Sequence, residues 1–129
     1  MKFIKFNRKD FNDMSGMFYG CSLLEEIKFS FFNISNVTNM SKMFRDCSKL
    51  KELDVSVFNT EKVTNMSDMF DGFTSLYKLN ISNFNTGKVY DMGFIFSRCK
   101  SLKELNIFNF ITNKVHDIRF MFFGCSSLI

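Results

Sequence analysis

The chain has 129 residues, which is enough for one domain with a hydrophobic core and short for two. Its formal charge of +4 comes from 17 basic and 13 acidic residues that are scattered without any block of like charge, so nucleic acid is a poor candidate partner. No run reaches the roughly 18 apolar residues of a membrane span. The N-terminal MKFIKFNRKDFND also lacks the uninterrupted apolar segment of a secretory signal.

A 26-residue repeat runs through the whole sequence. Four cysteines fall in one column of this repeat: Cys21, Cys47, Cys99 and Cys125. Phe73 occupies the same column in the unit between Cys47 and Cys99. Shifting the chain by 26 residues aligns it with itself without an insertion or a deletion. We therefore predict a single repeat domain over 1–129, made of a partial unit 1–13, units 14–39, 40–65, 66–91 and 92–117, and a partial unit 118–129.

The first element predicted in each copy is a short strand. Leu53 and Val55 alternate with the polar Asp54 and Ser56, which is the period-two pattern of a strand buried on one side. A turn with the letters FNT follows, and we expect its asparagines to bond to the backbone of the neighbouring unit. That column contains Asn7, Asn33, Asn59 and Asn85.

The second predicted element is a helix of about two turns. In the copy that begins at Val63, apolar residues recur at 63, 66, 69, 70, 73 and 76, the spacing of one helix face. The position before each Met-Ser run is Asn or Asp, which is typical of a helix N-cap. These predicted caps are Asp13, Asn39, Asn65, Asp91 and Asp117. A unit with one strand and one short helix cannot bury its apolar face alone, so we predict an α/β repeat solenoid with parallel strands.

The repeat resembles a known family. The pattern L-x-x-L-x-[VI]-x-x-F-N-T-x-x-V-x-x-M-x-x-M-F, read from Leu50, and the run VTNMSxMFxxC from Val37 to Cys47 are similar to BspA-like leucine-rich repeats of bacterial surface proteins and lipoproteins. The resemblance implies a leucine-rich-repeat-like right-handed solenoid of about five coils, located at the cell surface or outside the cell. It also implies adhesion to host proteins or to proteins of neighbouring cells. Because the chain has no signal peptide, a cytoplasmic location stays open.

The cysteine column has three interpretations. A position that accepts Phe73 in one copy is an apolar slot, which favours free, buried thiols that pack as small hydrophobic groups. Disulfides between neighbouring units, Cys21 to Cys47 or Cys99 to Cys125, are the second interpretation. A metal site is the third and the weakest, because the cysteines are 26 residues apart and lack the short spacing of zinc ligands.

No catalytic constellation is visible in the sequence. The single histidine, His116, shares a variable column with Thr38, Thr64 and Tyr90, and no nucleophile–base pair, paired carboxylate or glycine-rich phosphate loop recurs. We therefore predict a non-enzymatic protein with no catalytic residues, no cofactor and no bound metal.

The outward positions of the strands are the candidate site. They vary between copies where the apolar columns do not, as expected for the binding face of a repeat protein. The predicted protein-binding residues are Lys28, Ser30, Asp54, Ser56, Asn80, Ser82, Asn106 and Phe108. We predict a module for protein–protein interaction in an adhesin-like surface protein, and an intracellular repeat scaffold is the alternative. Neither end shows a capping unit, so end-to-end self-association is a further prediction.

Overall fold

The computed structural model describes residues 3–7 and 11–129. Strands β1 and β2 pair in parallel, with a one-residue register shift between Ile4 and Lys5, and β3 pairs in parallel with β4. These are two separate two-stranded sheets. The strands are β1 (Phe3–Asn7), β2 (Lys28–Asn33), β3 (Glu52–Asp54) and β4 (Lys78–Asn80).

The helix predicted in each unit is wrong. The described residues contain no helix, and the segment 41–46 is a run of consecutive turns. Met43 N donates to Met40 O inside the unit, whereas the next residue, Phe44, donates its N–H to Met69 O in the following unit. An α-helix would direct both N–H groups to carbonyls four residues earlier in the same segment. The predicted α/β solenoid with a helix in each coil is therefore not the fold of this chain.

Left-handed backbone positions explain why these segments are not helical. Lys42 and Asp46 have φ angles of 58° and 61°, and Asp68 and Gly72 have φ angles of 56° and 85° at the same two places of the next unit. A residue with positive φ breaks a right-handed helix. Each segment therefore advances by overlapping turns, and every second N–H is free to bond to the neighbouring unit.

These free donors join the units into a stack. Met40 N, Lys42 N, Phe44 N and Asp46 N donate to carbonyls 25 residues later over distances of 2.8 to 3.0 Å. Isolated parallel bridges link the predicted cap positions of successive units, from Asp13 to Asp117. The side chains at these positions accept the N–H two residues later, as in the 2.9 Å bond from Ser41 N to Asn39 Oδ1. The predicted caps thus close turns instead of helices.

The core consists of apolar columns that run down the stack. In one column, neighbouring phenylalanine rings lie 5.4 to 6.0 Å apart and within 10° of parallel, an offset-stacked arrangement that aromatic rings favour. The members of this column are Phe18, Phe44, Phe70, Phe96 and Phe122. Met40, Met43, Met66 and Met69 are fully buried beside it, as are Leu50 and Leu76. Each unit therefore completes the core of the units next to it.

Two asparagines of the FNT turn, Asn59 and Asn85, do not bond as predicted. Asn59 Oδ1 and Asn85 Oδ1 each accept an N–H two residues later in their own unit, both at 3.0 Å. The bond to the preceding unit is made from another column, in which Asn83 Nδ2 donates to Ser56 O at 2.7 Å. Asn109 repeats this contact with Ser82 O at 3.1 Å.

In the described residues, no helix is long and apolar enough to cross a membrane.

Candidate binding surfaces

The predicted strand face lies at the surface of the stack. Phe108 is 93% exposed, and Ser56 and Asn80 are half-buried. The other five predicted residues are exposed: Lys28, Ser30, Asp54, Ser82 and Asn106. Lys28, Asp54 and Ser56 line one shallow cavity, and a contact with a partner at the predicted residues stays a prediction.

Three polar side chains on this face accept hydrogen bonds from the backbone. Asp54 Oδ1 accepts the Ser56 N–H at 2.9 Å, and Asn80 Oδ1 accepts the Ser82 N–H at 3.1 Å. Asn106 closes the same turn with Phe108 N at 3.0 Å. Burial raises the pKa of Asp54, but the hydrogen bonds from Ser56 outweigh burial, and the pKa lies below its usual value. An Asp or Asn in this column is therefore explained by turn formation.

A second candidate surface is formed by the turn segments, and a buried carboxylate lies beneath it. Asp71 is only 3% exposed, and its Oδ1 accepts from Arg98 Nε at 2.8 Å. Its Oδ2 lies 3.3 Å from Arg45 Nε. A buried carboxylate needs such partners because its desolvation is costly. The two arginines provide them from the preceding unit and the following unit.

The arginines extend this network across the units. Arg98 Nη2 also donates to Asp46 Oδ1 at 2.9 Å, and Arg45 Nη1 lies 3.6 Å from Asp68 Oδ1. Burial outweighs the attraction of Arg45 and raises the pKa of Asp68. A shallow cavity of about 450 Å³ opens between these charged groups and the aromatic residues of the following units.

Phe94 and Phe123 line this cavity, and Phe120 contacts both of their rings. We call these three phenylalanines the aromatic patch. The Phe94 and Phe120 rings stack with centroids 5.1 Å apart, and Phe123 meets Phe120 edge-on at 5.7 Å. Phe120 is 56% exposed and Phe123 is 60% exposed. Phe94 and Phe120 have φ angles of 59° and 53°, a left-handed conformation that is strained for a bulky residue.

The sequence interpretation missed the aromatic patch. Its positions lie outside the apolar columns on which the predicted helix rests. The signal that could have found it is the change of residue type along two columns of the repeat, from polar residues or glycine to phenylalanine. One of these columns reads Gly16, Lys42, Asp68, Phe94 and Phe120, and the other reads Tyr19, Arg45, Asp71, Ser97 and Phe123.

The four cysteines are free thiols. Cys47 and Cys99 are buried, whereas Cys21 and Cys125 are half-buried. Burial raises the pKa of Cys47 to about 12, so this thiol stays protonated near neutral pH. Within the part of the chain that the structure describes, no group of three or more His, Cys, Asp or Glu side chains could hold a metal ion.

The stacked 26-residue register places the chain in the class of repeat proteins. It belongs to the family described as Mycoplasma protein of unknown function, DUF285, whose model matches residues 2–78 and again 51–129. No curated protein and no solved structure matched the chain. The resemblance to BspA-like leucine-rich repeats stays a prediction.

Proposed function

We propose that the chain is a non-enzymatic binding module that contacts a protein partner through the aromatic patch and the neighbouring Arg98. The observation that carries this proposal is the exposure of Phe120 and Phe123 beside a charged cavity. Aromatic residues and arginine are enriched at protein interfaces and supply most of the residues that dominate binding energy. The patch and Arg98 combine these two residue types in one place.

The backbone at the patch supports a role in binding over a role in stability. A left-handed conformation costs about 1–2 kcal/mol for a residue with a Cβ. The same column holds Gly16 in another unit, where that cost is avoided, and Lys42 and Asp68 in two further units, where a small or flexible polar side chain accepts it. At Phe120 the ring is mostly exposed, so burial does not offset the cost. A contact with a partner would bury the ring and give a reason for this residue type.

The charged network supplies the polar border of the proposed interface. Arg98 is held by Asp46 and Asp71, so its guanidinium is fixed in position before a partner arrives. Such preorganisation reduces the entropy lost on binding. The partner that fits best presents an apolar side chain to the three rings and a hydrogen-bond acceptor to Arg98.

A place on the cell surface and an adhesin-like role rest on the sequence resemblance alone. They predict that protease added to intact cells degrades this protein while a cytosolic marker protein survives. If the protein survives as well as the marker, the intracellular scaffold is the better proposal.

Site-specific photo-crosslinking tests the proposed surface. A benzoylphenylalanine placed at Phe123 should crosslink to a partner in an extract of the organism that encodes the chain. The substitution Phe120→Ser in the same molecule should abolish the crosslink. The matched control carries the photo-reactive group at Phe108 on the strand face, and there Phe120→Ser should change nothing. A partner captured at Phe108 and never at Phe123 would move the site to the strand face.

A further inference from the structure

Cys99 and Cys125 occupy the same column in adjacent units. The residue before Cys99 fixes their register, because Arg98 N donates to Phe123 O across the two units. Backbones joined by a parallel ladder lie about 4.8 Å apart. A disulfide requires a Cα separation of roughly 4.4–6.8 Å, so the stack places the two cysteines within bridging range.

The hydrogen bonds of the two thiols define their directions. Cys125 Sγ donates to Phe96 O at 3.0 Å and therefore points into the unit that contains Cys99. Cys99 Sγ donates in the same sense to Phe70 O at 3.4 Å. Formation of the disulfide therefore requires Cys99 Sγ to leave Phe70 O.

The two thiols differ in accessibility and acidity. Cys125 is half-buried, and hydrogen bonding with the Cys99 side chain lowers its pKa below the usual value of a thiol. Cys99 is buried, and its hydrogen bond to Cys125 together with burial raises its pKa. A more accessible and more acidic thiol next to a buried thiol is the arrangement of a redox-sensitive cysteine with its resolving partner.

We propose that Cys99 and Cys125 form a reversible disulfide by exchange with a small-molecule disulfide such as oxidised glutathione. The Cys125 thiolate attacks one glutathione sulfur, forms a mixed disulfide and releases one glutathione thiolate. Cys99 then loses its proton to solvent and attacks Cys125 Sγ, which releases the second glutathione thiolate. Two cysteine thiols are oxidised and one glutathione disulfide is reduced. The bond would tie the units 92–117 and 118–129 together, and it does not depend on the proposed binding function.

Phe73 limits which bonds can form. It occupies the cysteine column between Cys47 and Cys99 and is fully buried, so these two cysteines are not in adjacent units. Cys21 and Cys47 form a second adjacent pair with the same thiol direction, since Cys47 Sγ donates to Phe18 O at 3.2 Å. Cys47 is therefore a suitable site for a control substitution that leaves the proposed pair intact.

The test is peptide mapping by mass spectrometry after the full chain is incubated with oxidised glutathione. The expected product is a Cys99–Cys125 linkage in the wild type. Cys99→Ser should instead leave glutathione on Cys125, because the resolving thiol is missing. A merely structural role for Cys99 would not produce this outcome. Cys47→Ser should leave the linkage unchanged. In the reduced chain, iodoacetamide at pH 7 should alkylate Cys125 at least about tenfold faster than Cys47.

Three results would overturn the proposal. The first is a wild-type chain that shows no Cys99–Cys125 linkage, and the second is glutathione that persists on wild-type Cys125. The third is Cys125 linked as often to Cys21 or Cys47 as to Cys99. Peptide mapping of the wild type alone shows whether the Cys99–Cys125 disulfide forms. The proposal therefore stays testable if a serine variant does not fold.

Discussion

Arg98 Nη2 lies 2.9 Å from Asp46 Oδ1 although the two residues are 52 positions apart, because Gly72 in the unit between them has no side chain. A Cβ at Gly72 would collide with Asp46 Oδ1 and would also lie 3.1 Å from Arg98 Nη2. The ion pair and the glycine thus form one feature that spans three units. An exposed pair of this kind contributes little to stability alone, so the steric requirement at Gly72 is the stronger constraint.

Gly72→Ala should therefore destabilise the protein more than Gly20→Ala. Both glycines have positive φ angles, of 85° and 74°, and both substitutions incur about 1–2 kcal/mol for a left-handed alanine. A Cβ at Gly20 meets nothing within 4 Å. We expect Gly72→Ala to cost about 1 kcal/mol more, measured as the free energy of unfolding in urea. Equal costs would show that Asp46 and Arg98 move aside freely.

Asp71→Asn should lower stability by about 1–3 kcal/mol, because it removes the charge that neutralises two arginines at a buried position. The amide keeps one oxygen for Arg98 Nε but can turn an N–H₂ group towards Arg45 Nε. Asp117→Asn is the matched control: it also removes a carboxylate paired with an arginine, at 2.8 Å, but Arg119 is 77% exposed. Urea unfolding of both variants measures the difference, and an unchanged Asp71→Asn variant would contradict the buried-pair interpretation.

The sequence was sufficient to predict the repeat period and the apolar columns. It was insufficient to predict the backbone conformation of the segment that contains Met66 and Met69. The spacing of Val63, Met66, Met69 and Phe70 is common to a helix and to overlapping turns that keep the same side chains inside. The choice between them depends on carbonyls of the next unit, which compete with bonds inside the segment, and this is a tertiary effect. Glycines four positions apart, Gly16 and Gly20, were the available sign of left-handed turns.

The candidate site was harder to predict than the core. Phe108 and its neighbours were identified as outward-facing because a strand alternates. The described residues form no strand after β4, so the strand predicted there is wrong, and Phe108 is exposed in a turn. The aromatic patch was missed because the side chains at its positions would point in different directions on a helix than they do on the observed turns. The contact of Phe94 with Phe120 joins two units, so it is visible only when the stacking geometry is known.

Phe70→Ala should be one of the most destabilising substitutions in the chain. Phe70 is fully buried and stacks on Phe44 and Phe96 at 6.0 and 5.8 Å. Removal of such a ring leaves a cavity and costs about 3–5 kcal/mol. Phe122→Ala in the same column should cost less than half of this, because Phe122 is 41% exposed. Chemical denaturation of both variants measures the ratio, and similar losses would show that the column is not packed as described.

Asp54→Asn should lower stability slightly at neutral pH, and its difference from the wild type should shrink at acidic pH. The folded state lowers the pKa of Asp54, so its contribution is present above the usual pKa of about 3.9 and is lost as the pH falls through the lower folded value. Asparagine keeps the acceptor for Ser56 N, as Asn80 does one unit later. The variant should therefore lose less stability than the wild type between pH 5 and roughly pH 3, measured by urea unfolding at each pH. Identical pH profiles would assign the acid sensitivity to other carboxylates.

Phe120→Gly should separate binding from stability. Glycine removes the strain of the left-handed backbone at φ 53°, and the lost ring is mostly exposed. The relief of about 1–2 kcal/mol exceeds the roughly 0.5–1 kcal/mol that glycine costs through chain entropy, so the free energy of unfolding should stay equal or rise slightly. Partner capture by crosslinking at Phe123 should nevertheless fall. A loss of stability similar to that of Phe70→Ala would mean that Phe120 is a packing residue, and the binding role proposed for the patch would then lose its main support.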